Sequence, residues 1–430
     1  MPCRYARSHV AAIRAGTRTD AGPVGGEGAP LNAGLPPAAA ALAGLDGVLQ
    51  AADAPQAAAV RVDRAGTELR RGRLLALRVD AAAAEPAAEA ATAGWLLVAA
   101  VETLTEEAWR ALAASGVEAA LWLSAERLLA LGRPAVGPQA LRLGEGVRLA
   151  ELQRLAALAP DETTTGLPGD VLVADPAMQQ AMRAGLALCK RARLVPALVA
   201  LAWPAAAEAA LMAAQVPSLD PGDVLQATAP RPGDLRRVSD ARVPLASHED
   251  CRLVLFREVD GDAEHVAIVV GDPVPGAAPV PVRLHSACLT GDLLGSLRCD
   301  CGPQLQRALA RLAETGGVLL YLAQEGRGTG LANKLRAYRL QDAGLDTLQA
   351  DRHLGFRADE RDFGAAAAML RELGFTRIRL LTNNPHKIDA LRAAGIEVVD
   401  REPLLAPVNR HNARYVRTKR QRAGHLGADG

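Results

Sequence analysis

Short apolar strands alternate with helices of about ten residues through the last third of the chain, and this alternation limits the possible folds more than any other feature. Helices are predicted over Leu305–Leu312, Leu331–Ala343, Phe363–Leu373 and Lys387–Ala394, and strands over Val318–Leu322, Ile378–Leu381 and Ile396–Val399. A glycine follows each of these four helices, as expected for helix C-termini. The pattern predicts an α/β or α+β fold in which helices cover mixed sheets.

Aromatic residues divide the chain in two. All four tryptophans precede residue 204 and all four phenylalanines follow residue 255, which indicates two separately built cores in the 430 residues. In the first half, strands are predicted over Leu74–Val79 and Trp95–Val101, and helices over Glu106–Ala114 and Met178–Arg193. We predict a flexible leader over 1–45, a first domain over 46–158, connecting helices and linker over 159–235, and a second domain over 236–430.

Composition argues against several classes of function. The formal net charge is +1, so no polybasic surface for nucleic acid is expected. No apolar run approaches ~18 residues, and no secretory signal is evident near Met1, so we expect no membrane partner. Six cysteines are too few for a disulfide framework. These features predict a cytoplasmic protein.

Three cysteines carry the strongest chemical signal. Cys288, Cys299 and Cys301 fall within fourteen residues, and three thiolates suit a catalytic Zn²⁺ site that keeps one position open. His285 is a possible fourth ligand, a substrate contact or a buried residue satisfied by the fold. The alternative for the trio is three unligated buried thiols. The remaining cysteines are isolated and are interpreted as ordinary thiols.

Three further segments could bind an anion. Gln324–Gly330 has alternating glycines that let backbone N–H groups approach a ligand, and Arg327 adds a guanidinium suited to phosphate. Gly355–Phe363 is dense in both charge signs near a helix start, and Thr382–Lys387 is a turn that enters a helix. Taken singly, each could equally be a turn or a helix cap.

Together these segments resemble the GTP cyclohydrolase II family, whose members open the imidazole ring of GTP in riboflavin synthesis. The resemblance runs from about Val238 to Leu426. It rests on RLHSACLTGD (283–292), LRCDCG (297–302), QEGRG (324–328), NKLRAY (333–338), LQDAGLDT (340–347), ADERDF (358–363) and LTNNP (381–385). This sequence departs from the family pattern at Ala287, Thr329 and Asp351–Arg352.

The resemblance implies a GTP cyclohydrolase II fold for the second domain and a role for each matching residue. Cys288, Cys299 and Cys301 become the zinc ligands, Asp359 the general base, Arg361 the nucleophile toward the α-phosphate, and Tyr338 a group beside the guanine and the metal. The implied GTP contacts are Arg283, Leu284, His285, Ser286, Ala287, Gln304, Glu325, Gly326, Arg327, Thr347, Thr382 and Lys387.

The implied reaction releases formate and pyrophosphate and leaves a diaminopyrimidine, with one Zn²⁺ per subunit, Mg²⁺ on the triphosphate and a homodimer as the assembly. A guanidinium is a poor nucleophile because its pKa exceeds ~12, so Arg361 could instead be an electrostatic clamp. Two alternatives stay open: a paralogue that opens GTP for another pathway, and a non-catalytic regulator that binds GTP.

The front half weakly resembles a 3,4-dihydroxy-2-butanone 4-phosphate synthase domain that has lost its catalytic groups. Asp80–Ala91 stands where that family has an acid-rich loop, and Gly144–Val147 stands where it needs a histidine. Without these groups little remains to hold Mg²⁺ or to move protons. We therefore expect an inactive relative or an unrelated accessory domain.

Overall fold

Two seven-stranded mixed sheets organise the chain, one in each half. The computed structural model describes residues 54–79, 94–159, 170–229, 235–259 and 263–422, together with Gly424 and Leu426. Residues from Asp53 onward form one compact unit. The predicted leader over 1–45 and the Asp80–Ala91 stretch lie outside the described residues.

The first sheet has the strand order β5-β4-β3-β6-β2-β1-β7. Its strands are β1 (Leu75–Val79), β2 (Gly94–Ala100), β3 (Ala119–Leu123), β4 (Gln139–Arg142), β5 (Val171–Leu172), β6 (Ala197–Pro204) and β7 (Ser218–Leu219). The accompanying helices are α1 (Ala54–Arg70), α2 (Glu106–Ala113), α3 (Ala125–Ala130), α4 (Leu149–Leu155), α5 (Pro176–Arg191), α6 (Glu208–Ala213) and α7 (Pro221–Thr228). All pairs are antiparallel except β1 with β7.

The interpretation of 159–235 as connecting helices and linker is wrong for most of its described part. Strand β6 lies at the centre of the first sheet, paired with both β2 and β3, and its first five residues are buried. Helix α5, which contains most of the predicted helix over Met178–Arg193, begins after an Asp175 N-cap and packs its buried face into the core of the first sheet. The prolines of this stretch are typical of a linker, but Pro221 begins helix α7 instead of interrupting regular structure.

The second sheet has the order β14-β13-β11-β12-β10-β9-β8. Its strands are β8 (Leu235–Arg242), β9 (Cys251–Glu258), β10 (Glu264–Val270), β11 (Val280–Ser286), β12 (Gly317–Leu322), β13 (Arg377–Leu381) and β14 (Glu397–Glu402). Its helices are α8 (Cys301–Thr315), α9 (Leu331–Asp342), α10 (Thr347–His353), α11 (Gly364–Glu372), α12 (Pro385–Ala393) and α13 (Ala413–Arg422). Strands β11 to β14 run parallel, while β8, β9 and β10 form an antiparallel flank. The predicted α/β fold with mixed sheets is confirmed.

The two aromatic sets fill different cores, as predicted. Trp122 lies in one core of the first sheet and Trp109 in the other, while Phe256 and Phe363 lie in the core of the second sheet. Phe356 belongs to a smaller cluster that also contains Ala157 from the first half. Apolar packing therefore joins the two halves as well as filling each of them. No helix among the described residues is long and apolar enough to span a membrane.

Candidate active site

The site lies where the parallel strands of the second sheet end. Strands β11, β12 and β13 are neighbours, so their carboxyl ends meet at one edge of the sheet, the usual ligand edge of a parallel sheet. The loops that follow them carry the cysteine trio and two of the three candidate anion-binding segments: 287–301 after β11, 324–330 after β12 and 382–384 after β13. Distant stretches of the sequence thus converge on one place.

Cys288, Cys299 and Cys301 meet in that edge. Their sulfur atoms all lie within 4.8 Å of one another, and those of Cys288 and Cys299 are 3.7 Å apart. Cys288 and Cys299 are buried, and Cys301 begins α8. A π-helical turn, Leu289–Leu293, turns the chain back toward the other two thiols. Three soft donors at this separation fit a single Zn²⁺ ion.

Gly291 makes room for this cluster. A Cβ atom at this position would lie 2.8 Å from the sulfur of Cys299 and 3.0 Å from that of Cys288. We expect Gly291→Ala to weaken metal binding by about 10- to 100-fold, as when groups that orient metal ligands are disturbed. Competition with a chromophoric chelator measures the affinity. Gly144→Ala is the matched control, since its Cβ would meet nothing within 4 Å; an unchanged affinity in Gly291→Ala would contradict the prediction.

Lys334 is a neighbour of the thiols that the sequence analysis did not assign. Its Nζ lies 3.0 Å from the Cys288 sulfur and 2.8 Å from a carboxylate oxygen of Glu325. Hydrogen bonds from the thiols of Cys299 and Cys301, followed by the contact with Lys334, lower the pKa of Cys288. One thiolate is therefore favoured before any metal binds, and Lys334 neutralises its charge.

His285 is satisfied inside the fold. Its Nε2 atom lies 3.0 Å from both carboxylate oxygens of Asp292, and its ring stacks on that of Tyr321. Burial lowers the pKa of His285, so the imidazole is favoured in its neutral form. Asp292 also accepts a hydrogen bond from the backbone N–H of Cys288. Of the three possibilities for His285, the structure favours a buried residue satisfied by the fold. His285 supports the cysteine loop through Asp292 and does not belong to the sulfur cluster.

Asp359 and Arg361 form a tight ion pair. The Nε and Nη2 atoms of Arg361 lie 2.8 and 2.6 Å from the two carboxylate oxygens of Asp359, and the Arg361 backbone N–H also donates to this carboxylate. The remaining guanidinium nitrogen donates to the Ser286 hydroxyl at 3.3 Å. Burial alone would raise the pKa of Asp359, but the hydrogen bonds from Arg361 lower it overall.

The Gly-rich loop is held in an unusual conformation. Arg327 has a φ of +59°, a region that non-glycine residues rarely occupy. Its guanidinium donates to Asp351 at 2.9 Å and to the carbonyl of Ala358 at 2.8 Å. Asp351, one of the departures from the family pattern, thus fixes Arg327. Burial raises the pKa of Asp351 to about 6.

A cavity of about 290 Å³ connects these groups. The predicted residues that line it are Arg283, His285, Ser286, Ala287, Cys288, Cys299, Cys301, Gln304, Glu325, Gly326, Arg327, Tyr338, Thr347, Asp359, Arg361, Thr382 and Lys387. Leu284 does not line it; this fully buried residue offers its carbonyl to the Lys387 ammonium at 2.8 Å. The structure therefore brings together all but one of the predicted side chains.

One end of the cavity is strongly basic. Four cationic side chains meet there. Arg283 and Lys387 are buried, and Lys419 is mostly buried, beside Arg361. Burial lowers the pKa of Lys387 well below its ordinary value and that of Arg283 to about 10. Such groups are costly to leave without an anionic partner. This end of the cavity suits a phosphate chain.

Helix α13 completes the wall and was not predicted. Its Lys419 donates to Asp300, between two of the cysteines, at 2.8 Å, and its Nζ lies 4.3 Å from the centre of the Tyr415 ring. Lys419 is one of only four lysines among 49 basic residues, so its rarity was the available signal. Lys334 is another of the four lysines, so its rarity was a signal as well.

The described part of the first half offers no comparable centre. Within the described ranges, the cysteine trio is the one group of three or more His, Cys, Asp or Glu residues with metal-ligand spacing. Gly144–Val147 is largely exposed at the end of β4. The expected loss of catalytic groups from a synthase-like domain stays a prediction, since the Asp80–Ala91 stretch is not described.

Three converging thiols beside a basic cavity, at the ends of parallel strands, are features that suit a metal-binding enzyme with an anionic substrate. The family model for GTP cyclohydrolase II matches residues 236–403. GTP cyclohydrolase-2 of Azospirillum brasilense is 44% identical over 387 residues, covering 86% of this chain and 95% of that protein. The chain belongs to the GTP cyclohydrolase II family, as the resemblance predicted.

Two other comparisons cover different shares of this chain. The riboflavin biosynthesis protein RibBA of Synechocystis sp. is 55% identical over 176 residues, which is 40% of this chain and 32% of that protein. Among solved structures, RibBX, a two domain 3,4-dihydroxy-2-butanone 4-phosphate synthase from A. baumannii, aligns with 81% of this chain and 100% of that chain at 19% identity and a TM-score of 0.28. A TM-score this low supports no conclusion about the first half.

Proposed function

We propose that this chain opens the imidazole ring of GTP by hydrolysis and releases formate and pyrophosphate, as the first step of riboflavin biosynthesis. One observation carries the proposal: the cysteine trio and the basic cluster share a cavity, and all of these residues except Lys419 lie in the part of the chain that matches the family model. The thiols suit the chemistry at the ring, and the basic cluster suits the triphosphate.

Zinc is the metal that the donor set favours. Three thiolates are soft ligands, and Gly291 leaves space where any side chain would crowd two of the sulfurs. A bound zinc ion would supply Lewis acidity and so make hydroxide available at neutral pH. Asp292 and Lys334 hold the Cys288 loop and its charge in place for that ion.

Glu325 is proposed to contact the guanine through one hydrogen bond. Its oxygens already accept from Lys334 Nζ at 2.8 Å, Leu289 N at 2.7 Å and its neighbour Gly326 N at 3.0 Å. A carboxylate has about four acceptor sites, so one remains free in this arrangement. Reading two guanine donors at once would require Glu325 to give up one of its present partners.

Tyr338 is proposed to act as a neutral donor near the cysteines. Its ring is covered by the Arg298 guanidinium at 4.6 Å and lies 5.8 Å from the Lys334 ammonium. Burial raises the pKa of Tyr338, so its hydroxyl keeps its proton at neutral pH. We propose that this hydroxyl donates to the ring atoms or to the departing formyl group.

Arg361 is proposed to contact the α-phosphate. A guanidinium keeps its proton at neutral pH, and Asp359, with its lowered pKa, is a weak base for removing it. The geometry therefore supports an electrostatic clamp more directly than the nucleophilic attack implied by the family resemblance. Arg283 and Lys387 would hold the outer phosphates, with Mg²⁺ on the triphosphate.

Incubation of the purified protein with GTP, Zn²⁺ and Mg²⁺ tests the proposal. We expect formate and pyrophosphate in equal amounts, together with a diaminopyrimidine. A formylated ring-opened product would instead indicate a paralogue of another pathway. GTP that is bound but recovered unchanged would indicate a regulator and would contradict the proposal. Chelation of the metal should stop the reaction, and added Zn²⁺ should restore it.

The proposed metal ligands also bear on the cellular compartment. Catalytic thiolates need a reducing compartment, so we propose the cytoplasm. We also propose a homodimer, which sedimentation at micromolar concentration would detect. No partner other than the nucleotide and the metal ions is required by the proposed reaction.

A further inference from the structure

A partly buried ion pair connects the first half of the chain to the segment that carries Asp359 and Arg361. Near the end of α5, the Nζ atom of Lys190 lies 2.7 Å from a carboxylate oxygen of Glu360. Glu360 is the residue between Asp359 and Arg361, and its side chain is only 8% exposed. The contact therefore reaches the backbone of the proposed catalytic segment from outside the cavity.

Glu360 organises its own loop. Its carboxylate accepts from the backbone N–H of Arg357 at 2.8 Å and from two guanidinium nitrogens of Arg357 at 2.9 and 2.7 Å. Its own backbone N–H donates to the carbonyl of Arg327 in the Gly-rich loop. Residues 359–363 have neither helical nor strand structure, so contacts of this kind must hold them in place.

The charge of Glu360 depends on its partners. Burial alone would raise the pKa of this carboxyl, but Lys190 and then Arg357 lower it. The side chain of Lys190 is 23% exposed and that of Arg357 is 64% exposed, so Lys190 is the less solvated cation of the two. Removing it leaves a buried carboxylate with one exposed partner, which is a costly arrangement.

We propose that Lys190 is a positioning residue: through Glu360 it fixes the backbone between Asp359 and Arg361, so the first half assists the reaction without touching the substrate. The inference rests on the proposed function. Other contacts across the same boundary hold α9, which carries Lys334 and Tyr338. The amide of Asn333 donates to the carbonyl of Arg193 at 2.9 Å, and Arg336 pairs with Glu102 at 2.8 Å.

Kinetics of Lys190→Met test the role. We expect kcat to fall about tenfold, because small displacements of reacting groups are costly, while KM for GTP stays within about twofold and the metal content is unchanged. Lys190→Arg keeps the charge and should recover most of the rate. A wild-type kcat in Lys190→Met would overturn the proposal. Lys190→Gln, with a polar tip, serves the same purpose if Lys190→Met does not fold.

A double-mutant cycle shows whether Lys190 acts through Glu360. If it does, the Lys190→Met/Glu360→Gln protein turns over no more slowly than Glu360→Gln alone. Rate losses that multiply would show that Lys190 acts by another route and would overturn the proposed connection.

Hydrogen exchange gives a measurement that does not depend on turnover. Peptides within 356–363 should exchange faster in Lys190→Met than in the wild-type protein, and should be unchanged in Glu102→Gln, which disturbs the Arg336 pair at the same boundary. Equal exchange in Lys190→Met and wild type would overturn the positioning role even if GTP were not a substrate. Failure of the wild-type protein to release formate would overturn only the proposed reaction.

Discussion

Cys299→Ser is expected to lose both its metal and its ring-opening activity. A serine hydroxyl is a poor ligand for Zn²⁺, and two remaining thiolates cannot fill the site that three converging sulfurs form. Without the metal, the pKa of the attacking water stays at about 15.7 and does not fall to about 7, so we expect formate release to fall by about a thousandfold or more. Elemental analysis and a formate assay on the same preparation measure the two effects.

Cys189→Ser is the matched control for this substitution. Cys189 is also a buried thiol, but it lies in the core of the first sheet and burial raises its pKa, so it should remain protonated and unligated. The control should retain its metal and its rate. Full activity in metal-free Cys299→Ser protein would contradict the proposal that the three cysteines bind a catalytic metal ion.

Arg361→Ala is expected to keep its metal yet lose pyrophosphate release. The hydrogen bonds of its side chain go to Asp359 and Ser286 and not to the sulfur atoms, so the metal site should survive. Removal of a guanidinium from a transferring phosphate costs about 10³- to 10⁵-fold in kcat in related chemistry, and we expect the lower end of that range. Pyrophosphate and formate are assayed separately on the same samples.

Arg361→Lys separates the clamp from the nucleophile. A lysine keeps the positive charge, so a clamp should retain part of the rate, whereas a role that needs the guanidine nitrogen should not. Rapid quenching of the wild-type reaction would also reveal a nucleotide attached to the protein if Arg361 attacks phosphorus. Arg352→Ala, on the exposed face of α10, is the arginine control and should behave like wild type. Normal pyrophosphate release by Arg361→Ala would remove this residue from the mechanism.

Local sequence patterns predicted much of the second sheet and little of its antiparallel flank. The predicted helix over Leu331–Ala343 and strand over Ile378–Leu381 agree with α9 and β13 to within a residue at each end. Strands β8 to β11 were not predicted. The prolines and charged residues in this stretch hide the alternation that a strand would otherwise show, and β8 is exposed along most of its length.

The site could be predicted where the residue types and their spacing in the sequence indicate the chemistry. The three cysteines could be found because thiolates at that spacing have few other uses. Lys419 and Lys190 could not be assigned, because their partners lie 119 and 170 residues away and only the tertiary fold brings them together. The pairing of Asp351 with Arg327 has the same origin, since sequence alone showed only a departure at Asp351.

The central place of β6 in the first sheet has a consequence for how the chain is made. Until residues 197–204 leave the ribosome, β1 with β2 and β3 with β4 are separate ribbons whose inner edges have no partner. Isolated two-stranded ribbons are at best marginally stable in water, and open edges invite pairing with other chains. Every residue up to 204 must therefore be synthesised before the two ribbons can join in one sheet, and we expect the nascent chain to need chaperone protection over that interval.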